Sequence, residues 1–440
     1  MSVEEETDFL PLHETIFLKD AKRLEHLIES QKYDIDKKDK FGNTALHIAA
    51  MIGATDCLQC LLKHKADANI KNLNGWTPLA ETVSYGSRTA IKSILRRIKQ
   101  QNRENMDIRR PTLVKTLKDL NDFEMELRWE FHSWVPLLSR LLPSDVCKIS
   151  KKGSAIRMDS TLIEFTDMKW KRGDITFLFR GDKETSENLI VMDNENKVFQ
   201  KIQRNEIDST LEEEVDYLMC SDIVSAQMST KTINFTPAQN GWIFKEDKVE
   251  VIGKVSCDVY HVHGMNLISK KRREHLSEED MRKNKELSEA FHRGDTMLME
   301  NEKCQPLTRK NSLTPPMENP WSFVNYIESS GLYLGRDPRQ TESKKTIKGN
   351  VWMSEDFPLS TDLILNILNV IAPAKHFQKM KDFVSLKLPP GFPVKIEIPV
   401  LPTIVARVSF HDFEWKNELD DDLFVLPTEY KEDPNHFPDL

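Results

Sequence analysis

The chain has 440 residues, with 62 Lys and Arg against 70 Asp and Glu. The net charge of −8 speaks against a general nucleic-acid binder, which carries a basic excess. Charged residues make up 30% and apolar types 39%, the balance of a polar chain that still buries a core. No run reaches the ~18 consecutive apolar residues of a spanning helix, and six cysteines are too few for a disulfide framework, so the sequence reads as reduced and intracellular. The acidic start Met1–Asp8 is no signal peptide, and Ser2 rules out myristoylation. Any membrane role is expected to be peripheral.

A repeat opens the chain. Gly42 and Gly75, Thr44 and Thr77, Leu46 and Leu79, and Gly53 and Gly86 are each 33 residues apart, the ankyrin period. The first full unit keeps the pattern Thr44-x-Leu46-His47-x-Ala49-Ala50. Each unit predicts a β-turn and two antiparallel helices, with the glycines supplying positive φ at the turns and between helices. Pro11-Leu12-His13 begins a degenerate terminal unit without the turn glycine. The residues flanking the turn glycines project toward partners in such arrays: Lys40, Phe41, Asn43, Leu73, Asn74 and Trp76 are the candidates. Phe41 and Trp76 either meet a partner or pack on neighbouring turns. Cys57 and Cys60 lack the second ligand pair of a zinc site and read as core.

From Thr112 to about Leu142 the apolar residues Leu113, Leu117, Leu120, Phe123, Leu127, Phe131, Trp134 and Leu138 step by three and four. That spacing predicts one long amphipathic helix, with Pro111 in its first turn and Pro136 breaking it. The block around Trp129 and Trp134 is either a core junction or an exposed patch for an apolar client.

After Gly153 the texture becomes β-rich. Strands are predicted over 155–165, 170–180, 189–193, 197–202 and 241–254. His261 and His263 share one strand face but have no third metal ligand nearby, so no metal site is assigned. Lys270-Lys271-Arg272-Arg273 reads as a solvated loop before a helix capped by Ser277. Residues 291–320, with four prolines, read as a flexible linker in which Ser312 and Thr314 are candidate phosphorylation sites. Val394, Ile396 and Ile398 alternate with charged residues between Pro393 and Pro399, an edge-strand pattern paired with 406–410. No phosphate-binding loop, nucleophile elbow or zinc-protease signature occurs, so no catalytic residue and no cofactor are assigned.

These blocks together resemble the ankyrin repeat domain 13 family. The likeness rests on the repeats, Trp129–Asp145, the stretch around Glu274-His275-Leu276-Ser277, the Phe383–Pro399 block that holds the contact candidate Phe392, and Leu423-Phe424-Val425-Leu426-Pro427. It implies an α+β chain: a short ankyrin α-solenoid (1–103), a helical connector (104–150), two parts of a β-rich receptor-chaperone-like domain (151–290 and 321–412) either side of the linker (291–320), and an acidic tail (413–440). One branch, type C, is similar to a chaperone that retains G-protein-coupled receptors at the cytosolic face of the endoplasmic reticulum. The others bind ubiquitinated surface receptors through C-terminal ubiquitin-interacting helices. Here Asp420-Asp421-Asp422 supplies the acids, but the motif's Ala and Ser are missing and Pro427 and Pro434 interrupt any helix. The resemblance therefore implies the type C role, with membrane-protein clients and peripheral attachment through them, and argues against ubiquitin binding.

Overall fold

In the computed structural model the described residues are 10–133, 142–166, 169–184, 187–202, 208–229, 232–241, 245–293, 309, 311–317, 321–331, 333–361, 388–401, 404–434 and 436–437. They form two compact units, neither continuous in sequence. The first gathers Met1–Met106, Asn205–Gln227 and Ile268–Ser343; the second gathers Asp107–Arg204, Met228–Leu267 and Lys344–Leu440. This corrects the linear division expected above.

The first unit begins with paired helices α1 (Pro11–Phe17) and α2 (Ala21–Glu29), α3 (Ala45–Ile52) and α4 (Thr55–Lys63), then α5 (Pro78–Tyr85) and the start of α6 (Arg88–Asp119). α3 ends on Gly53 in the left-handed conformation, φ 65°, where an added Cβ would lie 2.1 Å from the Tyr85 ring. Only glycine fits both the dihedral and the space. The repeat core comprises Leu24, Leu46, Ile48, Leu58, Leu61 and Ile94, all at most 1% exposed. Cys57 belongs to it, and burial pushes its thiol up to about 11.

Later stretches complete this unit. α7 (Asp208–Cys220) packs Leu211, Val215 and Met219 against Trp76, Val83 and Ile91. α8 (Glu278–Arg293) and the short α9 (Phe323–Glu328) follow. The expected linker contributes too: the Leu313 amide donates to the Gly86 carbonyl at 2.9 Å, and Ser312 Oγ accepts from the Arg88 amide at 3.1 Å.

The second unit is built on strands β1 (Phe123–Ser133), β2 (Ser144–Lys152), β3 (Ala155–Thr166), β4 (Lys169–Arg180), β5 (Leu189–Asp193) and β6 (Val198–Lys201). After β7 (Ile223–Ser229), most of which falls in the first unit, come β8 (Asn234–Pro237), β9 (Gln239–Asn240), β10 (Glu246–Asp247), β11 (Val249–Ile252), β12 (Val255–Arg272), β13 (Gln340–Ser354), β14 (Phe392–Leu401), β15 (Ile404–Trp415) and β16 (Lys431–Glu432). The main path runs β11-β12-β13-β14-β15-β1-β2-β3-β4-β5-β6-β16. Its core joins Phe123, Leu127, Ile149, Val259, Trp352, Phe392 and Phe410.

Four expectations are corrected here. The helix predicted from Thr112 ends at Asp119, and Phe123–Ser133 is a strand paired with β15 and β2. Phe123, Leu127 and Phe131 are spaced by four, which fits one helix face and one strand face equally well; the burial of Met125 beside them decides for the strand. Pro111 sits inside α6 rather than at its start. β14 is internal, between β13 and β15, and register shifts at Trp352/Met353 and Pro399/Leu401 accommodate its two prolines. The expected acidic tail is packed structure: Phe424 and Phe437 are buried, and β16 pairs with β6.

Candidate partner-binding surface

The ankyrin turns are built alike, one period apart. Asp39 Oδ1 accepts the amides of Phe41 and Asn43, both at 2.8 Å. Asn72 Oδ1 does the same for Asn74 and Trp76, at 3.1 and 3.0 Å. The Leu73 amide donates to the Phe41 carbonyl at 3.1 Å and Asn72 Nδ2 to Asn43 Oδ1 at 2.9 Å, so the two turns brace each other. His47 caps α3 with Thr44 and contacts the Trp76 carbonyl at 3.1 Å through Nε2. Burial lowers its pKa to about 4, which keeps the imidazole neutral.

Part of the surface these turns present is covered by the chain itself. The rings of Phe323 and Tyr326, in α9, lie 5.5 and 5.4 Å from Phe17, and Tyr326 lies 5.0 Å from Phe41. The Tyr326 hydroxyl donates to Asp39 Oδ2 at 2.6 Å and accepts from Asn43 Nδ2 at 2.8 Å. Burial, then the Asp39 carboxylate, raises the phenol pKa, so the hydroxyl stays protonated. Lys40 Nζ donates to the Ser329 carbonyl at 2.8 Å. Further along, the Tyr333 hydroxyl meets Glu81, and Arg336 reaches the carbonyls of Ser84 and Tyr85 at 2.9 and 3.3 Å. Phe323, Tyr326, Tyr333 and Arg336 thus contact all three repeats between them.

Beside that segment lies a buried charge cluster. Arg272, wholly inaccessible, donates to Glu81 Oε2 at 2.9 Å and to Glu274 Oε1 at 2.7 Å, with its guanidinium carbon 5.1 Å from the Trp76 and Tyr333 ring centres. Ser84 Oγ and the Arg339 amide add bonds to Glu274. Burial works against the ionised form of Glu274, but Arg272 and the Ser84 hydroxyl outweigh it and lower its pKa. Burial dominates at Glu81 and raises its pKa. The basic run expected as a solvated loop is therefore half core: it ends β12, and its third member bridges Glu81 and Glu274.

Of the contact candidates, Leu73 is 76% exposed and Asn74 is exposed. Phe41 and Asn43 lie under Tyr326. Trp76 is buried beneath Arg272. Trp129 is half-buried against the sheet core, and Phe392 is buried, stacked on Phe357 at 4.2 Å. Trp76 and Phe392 are thus taken up by packing, and half-buried Trp129 leans on the sheet core, the junction alternative given for its block. Trp134 lies outside the described residues. Sequence reading missed Asp39, Glu81, Arg272, Tyr326, Tyr333 and Arg336. The one available signal was Ser322, whose hydroxyl accepts from the Asn325 amide and caps α9 just before Phe323.

His261 Nδ1 contacts Asn350 at 2.8 Å and His263 Nε2 contacts Thr236 at 3.1 Å, so both rings are engaged in side-chain bonds. Among the described residues Glu25, Glu29 and His64 do converge, but Glu25 is ion-paired with Lys63 at 2.7 Å.

Comparison with known proteins agrees with this architecture. A family model described as ANKRD13 C-terminal matches residues 157–435, and one described as Ankyrin repeats (3 copies) matches 12–105. The chain is 51% identical over 433 residues to ankyrin repeat domain-containing protein 13C of Homo sapiens, covering 98% of this chain and 79% of the relative. It is 52% identical to the Danio rerio 13C protein, covering 98% and 88%. Identity to the Mus musculus 13B protein is 32%, covering 91% and 67%.

Proposed function

Because the chain belongs to the ankyrin repeat domain 13 family, we propose that it works as a non-enzymatic chaperone that binds and retains newly made G-protein-coupled receptors. The observation that carries this reading is the higher identity to 13C than to 13B relatives, 51% against 32%. Binding takes place at the cytosolic face of the endoplasmic reticulum, with the protein held there through its clients. No helix among the described residues is long and apolar enough to cross a membrane, which supports attachment through partners. The ankyrin repeats support protein–protein recognition as the mode of action.

The second reading is an endocytic adaptor for ubiquitinated cargo. Against it stands the packing of 413–437, where the acidic cluster forms a 3-10 turn of four residues with Phe424 buried rather than an exposed helix.

The test is co-precipitation of the full chain with a tagged receptor from detergent-solubilised endoplasmic reticulum, alongside a carbonate wash of the membranes. Recovery of core-glycosylated, immature receptor and release of the protein by carbonate are expected. Saturable binding to ubiquitin chains without receptor recovery would replace this reading with the adaptor.

A further inference from the structure

The ankyrin face bears acids and aromatics, and what covers it bears the complement. On the repeat side are Phe17, Phe41, the Asp39 carboxylate, the Glu81 carboxylate and the carbonyls of Ser84 and Tyr85. Residues 321–336 supply Phe323 and Tyr326 on successive turns of α9, then Tyr333 and Arg336. Asp39 divides its work: Oδ1 holds its own turn, while Oδ2 is given to the covering phenol. Removing that phenol leaves the turn's own bonds in place. At Glu81, Arg272 and the Tyr333 hydroxyl both reach Oε2, while Oε1 has no hydrogen-bond partner among the described residues, so the carboxyl can take a further donor.

We infer that residues 321–336 are a built-in, exchangeable ligand of the ankyrin face, and that a client's cytosolic membrane-proximal segment displaces them. The inference rests on the client-binding function proposed above. Such segments carry aromatic residues at the headgroup level and an excess of Lys and Arg just inside the membrane. That is the chemistry of Phe323, Tyr326 and Arg336 in the same order along a chain. α9 is only six residues long and leaves Val324 57% exposed, so it buries one face and is a modest anchor. The protein is thus closed when no client is present and opens to a client that outcompetes its own segment.

The experiment uses the full chain and a fluorescein-labelled synthetic peptide of residues 321–336, followed by fluorescence anisotropy. Wild type binds it weakly, because only the open fraction is competent. Tyr326→Phe, and separately Phe323→Ala, loosen the internal segment and raise peptide affinity by about tenfold or more. Far-UV circular dichroism checks that each variant is folded. A peptide carrying the Tyr326→Phe and Arg336→Ala changes binds more weakly to either variant. The same variants recover more receptor than wild type in the co-precipitation. If neither folded variant gains peptide affinity and receptor recovery matches wild type, the segment is permanent structure and the inference is overturned. If the peptide exchanges but no variant recovers receptor, the exchange stands, and the client assignment and the function it rests on fail.

Discussion

Tyr326 and Asp39, 287 residues apart in sequence, share a 2.6 Å hydrogen bond inside the first unit. Replacing the tyrosine by phenylalanine keeps the ring against Phe17 and Phe41 but strands Asp39 Oδ2 and Asn43 Nδ2. A buried polar group left without its partner costs about 1–3 kcal/mol. Chemical denaturation of Tyr326→Phe should show a loss of that size in the transition of the first unit. A change within error would mean water satisfies both groups at once.

Arg272 offers a sharper contrast. Arg272→Met removes the cation between two carboxylates whose side chains are 1% and 2% exposed. Breaking a buried pair on one side costs about 3–5 kcal/mol. Its neighbour Lys271 is 46% exposed and pairs with Asp222 at 3.5 Å, so Lys271→Ala should cost under about 1 kcal/mol. Equal losses for the two variants would contradict the burial of Arg272.

Acid sensitivity follows from two buried imidazoles. His47 and His275 both have folded-state pKa values of about 4, lowered from 6.5 first by burial. Between those limits the unfolded chain binds protons that the folded chain refuses. Stability is therefore complete above pH 6.5 and declines as pH falls toward 4, by up to about 3 kcal/mol for each histidine. Thermal unfolding from pH 7 to pH 4.5 measures the decline, and His47→Gln should flatten it.

Thiol reactivity gives an independent check on the cores. Burial pushes Cys57 and Cys257 up to about 11 and Cys147 up to about 12. At pH 8 the thiolate of each is scarce and shielded. Iodoacetamide with site-resolved mass spectrometry should leave all three unmodified in the folded protein and label them in denaturant. Rapid native labelling of Cys57 would remove it from the repeat core.

The parts of the fold that were legible are those where local pattern and tertiary environment agree. The 33-residue offset was readable because each turn repeats the same bonds from Asp39 and Asn72. β5 was bounded correctly because its burial matches its β-branched and apolar run. What failed was local pattern with two meanings. The four-residue spacing of Phe123, Leu127 and Phe131 serves helix and strand alike, and the flanking prolines of β14 mimic an edge strand until its bulges are seen. The covering of the ankyrin face was invisible for another reason. Nothing near Asp39 or Glu81 announces a tyrosine or arginine some 190 to 290 residues later, and a basic run such as Lys270–Arg273 looks solvated unless its acceptors are known.

The discontinuity of the first unit also has a consequence for synthesis. The repeats leave the ribosome long before residues 268–336, which complete them. At about 5–20 residues per second, the gap between Asn43 and Tyr326 lasts roughly 15–60 seconds. During each round of translation the nascent ankyrin face is open, with Phe17, Phe41 and Asp39 accessible to whatever lies near the ribosome exit. A new chain thus meets its surroundings in the open form before its own later residues can close it.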